Sequence, residues 1–92
     1  MGIVEEVGGI GDLFRNETLI RSGVRYYLTV RGRTVLGMTD VEPWIDLTDV
    51  ESHTYLGETL TLHLQDGRWF NFIVLSSDGA VAAAGGGIRD SR

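Results

Sequence analysis

The stretch TLTLHLQDGRWFNFIVL, residues 59–75, decides the fold. In its first half, three leucines alternate with polar residues, which is the period-two pattern of a half-buried β-strand. Asp66-Gly67 is a turn signal, and the residues from Trp69 onward are mostly aromatic or β-branched, as in strands. The stretch therefore predicts a β-hairpin.

The register of this hairpin follows from which side chains must share a face. A two-residue turn would place Leu62 opposite the polar Asn71, whereas a three-residue loop over residues 65–67 places it opposite Phe70. The longer loop, with Gly67 in the left-handed conformation, gathers six large apolar side chains on one face. Each contributes about 1.5–3 kcal/mol on burial, so we predict the three-residue loop. The predicted core face consists of Leu60, Leu62, Leu64, Phe70, Phe72 and Val74.

The opposite face of the hairpin carries Trp69 and Ile73. It is too apolar to be left in water, so we predict that another part of the chain or a partner covers it.

The flanking segments predict further short elements. Residues 24–38 (VRYYLTVRGRTVLGM) predict a first hairpin with its turn near Arg31-Gly32. Ser77-Asp78-Gly79 predicts another tight turn, after which residues 80–84 return as a strand beside residues 69–76. Residues 40–45 contain Pro43 and predict a connection. A capping-box pattern that starts at Thr48 predicts one or two helical turns near residues 49–56.

These elements predict an all-β fold, a small half-open β-barrel or SH3-like roll of about five antiparallel strands with one short helical turn. Residues 24–88 form the predicted barrel domain, and residues 89–92 a tail. Residues 1–23 contain apolar residues that follow neither the helical nor the strand period. We therefore expect an N-terminal arm that packs on the domain or on a neighbouring subunit.

Composition restricts the function. The chain has 92 residues, a net charge of −5 and no cysteine, so thiolate chemistry and disulfides are excluded. Lysine is absent, all eight of the Lys and Arg positions being arginine, and residues 40–66 hold seven acids and no arginine. A field of this sign repels phosphate backbones and favours basic partners. No apolar run is long enough to span a bilayer, and we expect a cytoplasmic protein, or a virion component if the chain is viral.

The sequence lacks a chemical constellation. His53 and His63 have no metal-site spacing, the serines lack a nucleophile motif, and the acidic stretch lacks the spacing of an EF-hand loop. We therefore expect no enzyme activity, no cofactor and no metal.

Aromatic and acidic residues instead predict a surface that docks on a protein partner or on a second copy, since Trp and Tyr carry much of the energy of such interfaces. This profile is typical of viral or mobile-element accessory and assembly proteins. The predicted partner-binding residues are Trp69, Ile73, Trp44, Tyr26, Tyr27, Asp40, Glu42, Asp46 and Asp49.

The alternative is a small nucleic-acid-binding barrel that uses Arg31 and Arg33 with Tyr26 and Tyr27 as a stacking surface. Gly32-Arg33 resembles the start of the first Sm motif. The Asn-bearing loop and the second motif's Arg-Gly are missing, so we assign no family.

Overall fold

The computed structural model describes residues 3–31, 40–48, 50 and 52–89. Within these ranges the chain forms six strands and one turn of 3-10 helix, which spans Ser52–Tyr55. The strands are β1 (Ile3–Arg15), β2 (Thr18–Arg31), β3 (Asp40–Ile45), β4 (Thr59–His63), β5 (Trp69–Val74) and β6 (Val81–Arg89).

All strand pairs are antiparallel, and the order in the sheet is β3-β2-β1-β4-β5-β6. The two end strands, β3 and β6, pack beside each other, so the sheet curls into a nearly closed barrel. The all-β prediction is confirmed, with six strands where about five were expected.

The hairpin of residues 59–75 has the predicted register. Leu62 faces Phe70, and Leu60 faces Phe72. The Leu64 N–H donates to the carbonyl of Arg68 (2.7 Å), which closes a loop of three residues. Gly67 has a φ of +94°, the left-handed conformation that lets this loop keep both leucine and phenylalanine side chains on one face.

The core lies inside the barrel, and all six predicted residues of the hairpin face belong to it. Every strand contributes side chains to it, either buried or packed against the buried set. The buried core residues are Val7, Leu13, Val24, Tyr26, Leu28, Ile45, Leu47, Leu60, Leu62, Leu64, Phe70, Phe72 and Val74.

The N-terminal segment is part of the sheet. β1 lies between β2 and β4, and β2 runs through the boundary that we expected between residues 23 and 24. The described part of residues 1–23 is therefore built into the sheet of the barrel, whereas we expected an arm that packs on the domain or on a neighbouring subunit. Asn16, at φ +57°, forms a tight turn between the two strands, a conformation that Asn adopts more easily than most residues. The glycines of β1 interrupt the alternation of apolar and polar side chains that would otherwise identify this segment as a strand.

Residues 40–45 form a strand, so the predicted connection is wrong. β3 pairs with β2, and Pro43 lies opposite Leu28. A proline is tolerated here because β3 ends the order of the sheet, and prolines within sheets are largely confined to such strands. The predicted turn near Arg31-Gly32 and the return strand after it fall largely on residues 32–39, outside the described part of the chain.

The remaining local predictions lie close to the observed elements. The 3-10 helix falls within residues 49–56, and Gly57 follows it with a φ of +77°. β6 begins beside β5 as predicted but continues through the glycines to Arg89. Residues 90–92 of the predicted tail are outside the described residues.

One short junction joins the two halves of the sheet. β1 pairs with β2 along most of its length, but only Asp12, Leu13 and Phe14 pair with β4. Just before this junction, Gly11 lies so close to His63 that a Cβ atom there would be 2.2 Å from the His63 carbonyl oxygen. The barrel therefore depends on a backbone contact that only glycine permits.

Candidate functional site

Three large apolar side chains point outward from neighbouring strands. Tyr27 on β2 lies directly opposite Trp44 on β3, and their exposed fractions are 43% and 56%. Ile10 on β1 is 54% exposed and lies diagonally across from Tyr27. We call these three residues the aromatic patch.

Tyr27 is held in place within this patch. Its hydroxyl donates a hydrogen bond of 2.5 Å to Glu6 Oε1, and its ring lies against the backbone of Gly8. The pKa of Tyr27 lies above its usual range, mainly because of the hydrogen bond to Glu6. Partial burial and the charge of Glu6 make smaller contributions. The ring is thus presented in one orientation at neutral pH.

A groove of about 500 Å³ lies beside the patch, between the end of β3 and the turn that leads into β6. One wall is formed by residues 43–48 and Val50, and the other by residues 77–81. Trp44 lines the groove and also belongs to the aromatic patch, so the two surfaces are continuous. We call this feature the Trp44 groove.

Each wall of the groove carries a carboxylate. Asp46 accepts hydrogen bonds from the hydroxyl (2.5 Å) and the N–H (3.0 Å) of Thr48. Asp78 accepts from the hydroxyl of Ser76 and, at 3.4 Å, from the N–H of Ala80. These bonds are the main reason that the pKa of each aspartate lies below its usual range. Both groups are therefore ionised at neutral pH.

These two carboxylates differ from four others in the described residues, which are paired with arginine. The pairs are Glu42 with Arg31 (2.8 Å), Glu58 with Arg15 (2.7 Å), Asp66 with Arg68 (2.7 Å) and Glu5 with Arg68 (3.2 Å). Asp46 and Asp78 are instead held by neutral donors, although Arg25 lies near enough to Asp46 to lower its pKa slightly further. The described lining of the groove contains no basic side chain.

The structure brings some of the predicted partner-binding residues together. Trp44 and Tyr27 form the patch, Asp46 is in the adjoining groove, and Glu42 is exposed on the same strand as Trp44, in its ion pair with Arg31. Asp40 begins β3. Asp49 lies outside the described residues.

Trp69 and Ile73 lie elsewhere, on β5, and both are half-buried. The guanidinium of Arg89 lies 5.5 Å from the centre of the Trp69 ring, a cation–π geometry. Thus a side chain from β6 covers part of the hairpin face that we expected to need cover.

Tyr26 is not at the surface, which corrects its assignment as a partner-binding residue. Its exposed fraction is 3%, and its hydroxyl accepts a hydrogen bond of 2.8 Å from the Gln65 N–H. Adjacent strand residues face opposite sides, so only one of the two tyrosines can point outward. The nucleic-acid alternative loses support here, because Tyr26 is inside and Arg31 is paired with Glu42. Arg33 lies outside the described residues.

Sequence reasoning missed two members of this surface. Ile10 was hidden in a segment without a clear period, and Asp78 was assigned only to a turn. The Ser77–Gly79 turn signal locates Asp78 along the chain, but its position across from Asp46 depends on the approach of β6 to β3.

The described residues contain no cluster of three or more His, Asp or Glu side chains that could bind a metal ion. In the same part of the chain, no helix has the length and apolar character needed to cross a membrane. Comparisons with family models, with curated proteins and with solved structures give no match to this chain.

Proposed function

We propose that this chain is a non-catalytic docking module that binds another protein chain through the aromatic patch and the Trp44 groove. The observation that carries the proposal is the position of Trp44, which is more than half exposed and borders both surfaces. Trp and Tyr are the residues most enriched at the energetic centres of protein interfaces.

The immobilised Tyr27 adds to this argument. A ring already fixed by Glu6 and by the backbone of Gly8 loses little side-chain entropy when a partner covers it. A fixed tyrosine ring opposite Trp44 and beside a groove is therefore favourable for docking, since the groove can take a partner side chain while the rings cover the adjoining contact.

Photo-crosslinking tests the proposal. Benzoylphenylalanine replaces Trp44 in the protein expressed in its source cells. A control protein carries it at position 19, because Leu19 is exposed to a similar extent (50%) but lies next to the β1–β2 turn. We expect a discrete protein adduct from position 44 that is absent from position 19. Equal labelling from both positions, or no adduct at position 44, would contradict the proposal.

A variant separates docking from folding. Trp44→Ala should change the free energy of unfolding by no more than about 0.5 kcal/mol, because the side chain is exposed, and should abolish co-purification of the crosslinked partner. Leu19→Ala, the matched control, should leave the partner bound.

A further inference from the structure

We propose that the Trp44 groove recognises an arginine side chain in an extended segment of the partner, with Asp46 and Asp78 as its anionic contacts and the Trp44 ring as its stacking surface. This inference rests on the docking function proposed above, and it identifies the chemistry of the partner.

The charges of the groove favour a cation. Asp46 on one wall and Asp78 on the other are ionised and are held by neutral donors, while the arginines near other carboxylates are already paired. A cation that enters the groove therefore gains attraction without having to displace an ion pair among the described residues, although the charge of Arg25 near Asp46 weakens that attraction.

The apolar part of the groove favours a guanidinium among the possible cations. Trp44 offers an indole ring, and arginine stacks on aromatic faces more often than lysine does. The guanidinium is also the less strongly hydrated of the two and can bind a carboxylate with two parallel hydrogen bonds. The volume of about 500 Å³ is large enough for one such side chain and the residues beside it.

The two carboxylates of the groove disfavour two other possible occupants, a second copy of this chain and a nucleic acid. A second copy docked about a two-fold axis through this groove would bring the Asp46 and Asp78 carboxylates of both copies together, and like charges opposed in this way cost affinity. A nucleic acid would place its phosphates against the same two carboxylates.

Peptide titration tests the arginine. The probes are acetyl-Val-Arg-Val amide and its lysine and citrulline counterparts, added to the whole protein at about 50 mM salt, where surface charges are weakly screened. Binding is followed by the NMR shift of the Trp44 indole N–H. We expect the arginine peptide to shift Trp44 and residues 77–81, the lysine peptide to bind about threefold more weakly, and the uncharged citrulline peptide about tenfold more weakly.

Matched variants test the carboxylates. Asp46→Asn and Asp78→Asn keep an oxygen that accepts the Thr48 and Ser76 hydrogen bonds, so each should stay folded, with a melting temperature lowered only slightly by the lost charge, and lose about three- to fivefold in affinity for the arginine peptide. Asp12→Asn removes the same charge from β1, where Asp12 faces His63 on β4, and should leave the affinity unchanged.

The outcomes separate the two proposals. Three results would overturn the arginine inference. The citrulline and arginine peptides could bind with equal affinity, or Asp12→Asn could lose as much affinity as Asp46→Asn and Asp78→Asn. The third is the absence of a Trp44 shift at about 10 mM peptide, which is well above the concentration that a useful contact would need. If a partner still crosslinks at position 44 in that case, the docking function stands and only the nature of its ligand is wrong. If neither the peptide nor a partner binds, both proposals fail.

Discussion

Gly11→Ala should destabilise the barrel at the short junction between β1 and β4. The added Cβ would lie 2.2 Å from the carbonyl oxygen of His63, where real Cβ atoms essentially never approach closer than 3.0 Å. The clashing atom belongs to the β4 backbone, so it cannot rotate away as a side chain could. β4 must therefore move relative to β1 at the place where only three residue pairs join the two halves of the sheet.

The magnitude follows from this geometry. Overpacking a core usually costs about 1–3 kcal/mol, and a backbone clash at a junction of three residue pairs belongs at the upper end, about 3 kcal/mol. The substitution also restricts the unfolded chain, which offsets about 0.4–1 kcal/mol. We expect a net loss of about 2–3 kcal/mol, which for a domain of this size lowers the melting temperature by about 8–24 °C.

Two neighbouring glycines of β1 supply graded controls. At Gly8 the nearest atom to a new Cβ is Tyr27 Cδ1 at 3.1 Å, an atom of an exposed side chain that needs to move by only a few tenths of an ångström. At Gly9 it is the end of the Gln65 side chain, at 2.8 Å. The expected order of destabilisation is therefore Gly8→Ala, then Gly9→Ala, then Gly11→Ala.

Urea denaturation followed by tryptophan fluorescence and circular dichroism measures all three variants, and an unchanged m-value shows that the denatured state is the same. If Gly11→Ala costs less than about 1 kcal/mol, the steric reasoning is wrong, because that value is ordinary for a surface change in a strand. A cost equal to that of Gly8→Ala would refute it as well.

Three further predictions concern the loop, the core tyrosine and acid stability. Gly67→Ala should cost about 1–2 kcal/mol in urea denaturation, because φ is +94° there and a Cβ disfavours that conformation; an unchanged stability would show that the loop can relax. Tyr26→Phe should cost about 1–3 kcal/mol, since it leaves a loop N–H without its acceptor, while the exposed control Tyr27→Phe should cost under about 1 kcal/mol; equal losses would contradict the assignment. Hydrogen bonds from Arg68 and Ser76 lower the pKa of Asp66 and of Asp78 in the folded state, so their stabilising effect is present above the unfolded pKa and is lost as the pH falls through the folded pKa. The melting temperature should therefore fall when the pH is lowered below about 4, and Asp66→Asn and Asp78→Asn should each show a smaller fall.

The sequence predicted best where side-chain alternation and turn chemistry agreed. In residues 59–75 the leucines, the phenylalanines and Gly67 all favoured one register, and that register is observed. Local preference and core formation pointed to the same structure, so no tertiary context was needed to choose it.

Prediction failed where tertiary contacts decide the local structure. β1 contains Gly8, Gly9 and Gly11, which have low strand propensity, yet the pairing of β1 on both sides makes it a central strand. Pro43 indicated a connection because a central strand does not tolerate proline. Only the order of the strands in the sheet shows that Pro43 lies on an end strand.

The candidate site also depends on tertiary contacts that the sequence does not reveal. Its aromatic residues could be read from the chain, but its walls come from β3 and from the turn before β6, the two ends of the sheet order. They meet only because the sheet curls, and the curl passes through the short β1–β4 junction beside Gly11. Arg15 on β1, Arg31 on β2 and Arg68 beside the hairpin loop pair with most of the described carboxylates of the acidic middle third, so the sequence alone overstates its free charge. Among the carboxylates there whose side chains the structure describes, Asp46 is the exception, and the second carboxylate of the groove, Asp78, comes from outside that third. A binding property of this surface would therefore depend on the closure of the barrel more than on the acidic composition of any one segment.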